Sequence, residues 1–246
     1  MLTLFPFEAA FYREHRVPVA FVGHPLADEL AMEPNTDAAR DLLQCGSGGR
    51  VIAVLPGSRS GEIAMLGPVF LQAAVAIVQQ HPDCQVLIPA ANSERHQQLQ
   101  ALLGELDPAP EILGRIRLLQ GQSQLAMTAA DVVLMTSGTT TLEAMLLKKP
   151  MVVAYKLSPL SYWLLSRLVK TEFIALPNLL AGEALVPELL QDQVTAESLS
   201  DNVGLWLDQP QRVQELRQRF AGIHRDLRRD ASHAAAQAIA ELVEQQ

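Results

Sequence analysis

The chain has 246 residues, 49% of them hydrophobic and 19% charged, with a formal net charge of −8. That composition supports a sizeable core and excludes a disordered chain, and its acidic balance argues against a nucleic-acid binder that relies on phosphate contacts. Two cysteines, Cys45 and Cys84, without metal-ligand spacing exclude a disulfide scaffold and fit a reducing compartment.

In chain order, residues 1–23 read as the tail of a preceding unit: a helix, EAAFYREHR, then a short strand, VPVAFVG. The opening MLTLFPFEAAFYREHR carries Glu8 in its apolar part and no basic leader, so it does not read as a signal peptide. No apolar run reaches the ~18 residues of a membrane-spanning helix, and a cytoplasmic protein is expected. Residues 24–49 read as a polar connector. Its CGSGGR is taken as a loop, because it precedes a strand where a dinucleotide-binding glycine run would follow one.

From residue 50, strands and helices alternate. RVIAVLP (50–56) predicts a buried strand and 62–80 a helix, despite Gly67 and Pro68. QVLIPA (85–90) precedes the helix SERHQQLQALLGEL, and IRLLQG (116–121) precedes a short helix. VVLMTS (132–137) leads into TTTLEAMLLK, and PMVVAY (150–155) into a helix from about Ser158 to Lys170. Five such repeats predict an α/β domain, a Rossmann-like doubly wound parallel sheet with right-handed crossovers. Beyond it, 174–190 reads as a buried loop around Pro177, Asn178 and Gly182, and only helices are expected after residue 186, starting with VPELLQ. The resulting division is 1–23, 24–49, 50–190 and 191–246. Arg212, Arg217, Arg219, Arg225, Arg228 and Arg229 crowd the last segment. They suit a solvated helix face, or contact with an anionic membrane.

Ligands of open parallel sheets bind beyond the carboxyl ends of the strands. Gly57, Ser58 and Arg59 fall there after the first strand, and Ser137, Gly138, Thr139 and Thr140 after the fourth. Glycine for close approach, hydroxyls beside free helix N–H groups and a cation are what a diphosphate requires. Glu143, one turn after Thr139, is placed to accept hydrogen bonds from a ribose. The same residues serve equally as helix caps, with Ser58 or Ser60 capping one helix and Ser137 or Thr139 the other. The sequence has no H-E-x-x-H, no Asp-x-Asp, no G-x-S-x-G and no G-x-x-x-x-G-K-[ST], so no metal or cofactor is expected.

The blocks FPFEAAFY, VGHPLADE, LPGSR-x-x-E, SGT-x-x-LEAMLLKKPMVVAYK and LVKTEFIALPNLLAGEALVPELLQ, in this order, resemble the lipid-A-disaccharide synthase family of inverting GT-B glycosyltransferases. The resemblance runs from about residue 5 to the C-terminus and implies the C-terminal, donor-binding half of a two-domain enzyme. It implies transfer of 2,3-diacylglucosamine from its UDP donor to 2,3-diacylglucosamine 1-phosphate (lipid X), with UDP released. By motif, Arg59 takes the catalytic role, with Gly57 and Ser58 beside the reacting centre. Ser137, Gly138 and Thr139 hold phosphate, Glu143 the ribose, Asn178 faces the same cleft, and the Gln120–Gln124 loop meets the uracil. Residues 1–23 become the remnant of the acceptor domain, most of which, with its acidic base, is absent. Lipid substrates are compatible with peripheral contact at the inner membrane, to which PLSYWLLSRLVK (159–170) would add an interfacial helix if it does not simply cover the sheet. A homodimer is also compatible. Two other readings share the donor site: a non-catalytic UDP-sugar-binding module, and a GT-B-shaped UDP-sugar 2-epimerase, against which the LPNLLAG block argues.

Overall fold

The computed structural model describes residues 1–46, 48–157 and 172–244. The expected helix at 158–170 lies outside the described residues. Six strands form one sheet: β3 (Arg50–Leu55), β4 (Cys84–Ala90), β5 (Ile116–Gln120), β6 (Val132–Thr136), β7 (Met151–Tyr155) and β8 (Glu188–Leu190). Their order is β5-β4-β3-β6-β7-β8 and every pairing is parallel. Register is set across the centre by Ile52 opposite Val132 and Leu55 opposite Met135. The inner strands are apolar without alternation because helices cover both faces, so Ile52, Ala53, Val54, Leu134 and Met135 are all buried.

Long helices flank the sheet. On its two sides run α4 (Ser60–Gln80), α5 (Ser93–Leu106), α6 (Pro110–Leu113), α7 (Ser123–Ala129) and α8 (Thr140–Leu146). The helix α4 continues through Gly67 and Pro68. Gly67 lies at the contact with α5, where a Cβ would stand 2.9 Å from the Leu102 Cδ1 methyl. By length and mean hydropathy α4 resembles a membrane-spanning helix. Its buried Ile63, Phe70, Leu71 and Ile77 make it a core helix of this domain.

Two expectations fail. VPELLQ is not helical: Glu188–Leu190 adds a sixth strand beside β7, and Pro187 O accepts the Val153 N–H at 3.0 Å. The loop before it contains a short helix, α9 (Leu176–Ala181), closed by Gly182 in a left-handed conformation. The connector 24–49 has structure of its own. It carries α2 (Pro25–Glu29) and α3 (Thr36–Leu42), which put Ala27, Leu30, Ala39, Leu43 and Cys45 into the core.

The first residues form β1 (Leu2–Thr3), α1 (Pro6–Glu14) and β2 (Ala20–Phe21), with β1 and β2 paired in parallel. Helices α10 (Ala196–Asp208), α11 (Pro210–Leu227) and α12 (Ala231–Glu244) follow the sheet, and the N-terminal residues meet the chain where α11 passes into α12. The His24 N–H donates to Leu227 O at 2.9 Å, and the Arg229 guanidinium lies 4.5 Å from the Phe21 ring centre. Gly23 has φ +86°, and a Cβ there would meet Leu227 O at 2.5 Å, so only glycine permits this approach. Asp28 of α2 caps α12, its carboxylate accepting the N–H groups of Asp230 (2.9 Å) and Ala231 (2.7 Å).

Candidate functional site

The strand order reverses between β3 and β6, which makes the crevice beyond their carboxyl ends the topological switch point of the sheet. A cleft of about 560 Å³ opens there. Its walls are the turns after β3 (Gly57, Ser58, Arg59), β5 (Gly121, Ser123) and β6 (Ser137–Thr140), with the end of β4 (Pro89–Ala91).

The turn after β3 is closed upon itself. Gly57 has φ +125°, and a Cβ there would lie 2.7 Å from Glu62 Cβ. Glu62, three residues beyond the N-cap Arg59, folds back over the turn. Its Oε2 accepts the N–H groups of Ser58 (3.0 Å) and Arg59 (3.2 Å), and its Oε1 accepts from the Arg59 guanidinium at 3.0 Å. The start of α4 is therefore capped by a carboxylate from inside the helix, and neither Ser58 nor Ser60 caps it. Glu62 thereby occupies the N–H groups of Ser58 and Arg59, while those of Ser60, Gly61 and Glu62 in the first turn of α4 have no acceptor among the described residues. What this turn offers the cleft is the Ser58 hydroxyl and the Arg59 side chain, 83% exposed.

The turn after β6 is open. The Ser137 N–H bonds Ala154 O (3.1 Å), and Gly138 O accepts from both the N–H and the hydroxyl of Thr141 (3.1 and 2.7 Å). The next N–H groups, on Gly138, Thr139 and Thr140, have no acceptor among the described residues. Thr139 sits at the N-cap with helical φ and ψ and its hydroxyl makes no capping bond. The hydroxyls of Ser137 and Thr140 have no partner among the described residues either. Six donors thus lie on one wall of the cleft, three hydroxyls and three N–H groups, the latter left over because the first turn of a helix has no acceptors for them.

Glu143 stands one turn deeper in α8, half-buried, and does not form the cleft wall. Burial raises its carboxyl pKa, and it has no hydrogen-bond partner among the described residues, so its acceptor capacity is intact. Of the 120–124 stretch, Gly121 and Ser123 reach the cleft, through consecutive left-handed residues at Gly121 (φ +68°) and Gln122 (φ +63°).

Asn178 is the residue the structure does not bring to the site. It is fully buried, and its amide is consumed by protein groups. Nδ2 donates to Val186 O (2.9 Å) and Glu188 Oε1 (2.7 Å), while Oδ1 accepts the N–H groups of Leu185 (2.9 Å) and Val186 (3.0 Å). Asn178 therefore ties α9 to β8. Sequence reasoning missed Glu62 as the organiser of the first turn, although a glutamate three residues after an N-cap is a legible signal. It also missed the Pro89–Ala91 wall, which has no polar chemistry to give it away.

The sequence profile of the lipid-A-disaccharide synthetase family matches residues 1–242. The chain belongs to that family. It is 51% identical over 244 residues to the lipid-A-disaccharide synthase of Alcanivorax borkumensis, covering 99% of this chain and 62% of the relative. The chain thus spans less than two thirds of the length of such relatives. Among solved structures it is similar to UDP-GlcNAc 2-epimerase from Neisseria meningitidis bound to UDP-GlcNAc, with TM-score 0.64, 14% identity, and coverage of 99% of this chain and 61% of that one. It is also similar to WaaG, a glycosyltransferase involved in lipopolysaccharide biosynthesis, with TM-score 0.56, 15% identity, and coverage of 96% and 60%. At such identities the likeness concerns the fold alone, a Rossmann-like α/β domain of the GT-B kind.

Proposed function

We propose that this chain is the donor-binding part of a lipid-A-disaccharide synthase and that the cleft between β3 and β6 holds UDP-2,3-diacylglucosamine. The observation that carries the reading is the set of six unpartnered donors on the Ser137–Thr140 turn, facing Arg59 across the cleft. Preorganised N–H and O–H donors stabilise a diphosphate without reorganising, and they do so most strongly where water is partly excluded.

In the reaction, the 6-hydroxyl oxygen of lipid X attacks the anomeric carbon as the bond to the UDP β-phosphate oxygen breaks. UDP leaves with the bonding pair, and the acceptor proton passes to a base. Charge grows on the departing diphosphate, so the Ser137–Thr140 donors and the Arg59 cation act on the leaving group. Glu143 accepts from the ribose hydroxyls, and the Gly121–Ser123 turn lies where the base of the nucleotide would sit. Ser58 and Gly57 approach the sugar. The base belongs to the acceptor side, of which residues 1–23 are the closing part. Work at the cytoplasmic face of the inner membrane, and pairing of two copies, fit the lipid substrates.

A second reading shares the same donor site: a UDP-sugar-binding module without turnover. Titration calorimetry with UDP, against GDP and NAD, tests what the two readings share. Selective UDP binding that is lost in Glu143→Ala is expected, and a folded chain that binds none of the three overturns both. Release of UDP from the donor in the presence of lipid X then separates them.

A further inference from the structure

Six arginines lie between residues 212 and 229, and the structure divides them. Arg212 lies over the Trp206 ring at 4.6 Å, Arg219 pairs with Glu183, and Arg229 lies over Phe21 and donates to Asp226 O. Arg217 and Arg225, two turns apart on α11, have no acidic partner among the described residues. Both border a cleft of about 330 Å³ beside the C-terminus of α8. That end of α8 leads into the amino end of β7, so this cleft lies at the opposite edge of the sheet from the nucleotide site.

Two lysines from the α8–β7 connection border the same cleft, Lys148 at 7% exposed and Lys149 at 3%. Lys148 Nζ is fully engaged: it donates to Leu146 O (2.6 Å) and Ala31 O (3.4 Å) and meets His224 Nδ1 at 2.5 Å. It contributes charge rather than a free donor. Lys149 Nζ has one partner, Thr36 Oγ1 at 2.9 Å, which leaves two N–H donors and leaves the Thr36 hydroxyl proton available. The nearby carboxylates do not neutralise the group. Asp131 binds Arg40 (2.7 Å) and the Val51 N–H (2.8 Å) through Oδ2 and does not line the cleft, and among the lining residues Glu33 is the one carboxylate against four cations. Burial, with Arg217 beside Lys149 and Arg228 beside Lys148, lowers both ammonium pKa values to about 8. Buried cations of this kind ordinarily have an anionic partner.

We propose that this cleft is a second anion site that takes a phosphate group, held by Lys149, Arg217, Arg225 and the Thr36 hydroxyl in the field of Lys148. Two guanidinium forks and an ammonium around one recess match the several oxygens of a phosphate. The phosphate comes either from a soluble ester or from the headgroup of an anionic phospholipid.

Calorimetric titration with inorganic phosphate at low ionic strength compares the wild type with R217Q/R225Q and with R212Q/R219Q, which removes equal charge from the same helix. Phosphate entering the nucleotide cleft is common to all three, so the difference reports the α11 site. About a tenfold or greater loss of affinity is expected in R217Q/R225Q, with R212Q/R219Q close to wild type. In parallel, the three proteins are sedimented with phosphatidylcholine vesicles with and without phosphatidylglycerol. Co-sedimentation that needs phosphatidylglycerol and is lost only in R217Q/R225Q assigns the phosphate to a lipid; phosphate binding without it assigns a soluble ester. Equal losses in the two double variants, or no difference between wild type and R217Q/R225Q in either arm, overturn the proposal.

Discussion

The turns after β3 and β6 face each other across one cleft and have the same make-up, glycine with hydroxyls at the start of a helix, yet their own chain engages them differently. After β3, Glu62 occupies the N–H groups of Ser58 and Arg59 and fixes the turn. After β6, the N–H groups of Gly138, Thr139 and Thr140 are left to whatever enters the cleft. One turn is fixed by a carboxylate of its own chain and the other keeps its N–H groups for a ligand, which sets a fastened wall opposite a receptive one.

The largest effect that sharpens this contrast is on the glycines. Gly57→Ala forces φ +125° on a residue with a Cβ and drives that Cβ into Glu62; a loss of about 3 kcal/mol is expected in chemical denaturation. Gly138 has ordinary φ and open space around its missing Cβ. Gly138→Ala is expected to stay within about 0.5 kcal/mol of wild type, so any fall in UDP affinity there belongs to the ligand and not to folding. Comparable destabilisation in both variants would erase the distinction.

Smaller in stability but decisive for binding is removal of the hydroxyls. S137A/T139A takes away two donors without touching a protein hydrogen bond. UDP affinity is expected to fall by about 2–3 kcal/mol, while the melting temperature holds. Glu62→Ala should do the reverse, costing about 1 kcal/mol of stability through the lost cap and freeing donors without improving UDP binding. If S137A/T139A melts earlier and binds UDP as before, the open turn is structural after all.

The smallest effect concerns Glu143. Burial raises its carboxyl pKa in the folded chain. The unfolded state therefore releases this proton first as pH rises, and folding carries a penalty above the unfolded pKa that is absent below it. Glu143→Gln is expected to be more stable than wild type at pH 7 and equal to it in acid below the ordinary carboxylate range. A pH series of denaturation midpoints checks this, and a difference that persists at low pH would place its cause in packing rather than ionisation.

How much of this was legible depended on what each residue faces. The four inner strands, β3, β4, β6 and β7, were legible because strands covered on both faces are continuous apolar runs. The helix at Ser93–Leu106 emerged residue for residue between its Asn92 cap and the left-handed Asp107. The strand β8 was not legible, because its Glu188 breaks the apolar run in order to bind the N–H groups of Ile174 and Ala175 and the amide of Asn178. The same partnership hid the role of Asn178, whose polarity in an apolar stretch looks identical whether it serves a ligand or a neighbouring strand. The location of the cleft followed from topology. Which of its donors are free did not, since that depends on the rotamer of one glutamate.

The cap on α12 has a consequence for how the chain comes into being. Asp28 leaves the ribosome about two hundred residues before the helix whose start it secures. Nothing nearby in sequence substitutes for it, so α12 acquires its latch only after the sheet has brought the two ends together. Closing so long a loop is among the last events a chain completes. The N-terminal segment and the final helix are therefore expected to lock together, and late, during synthesis.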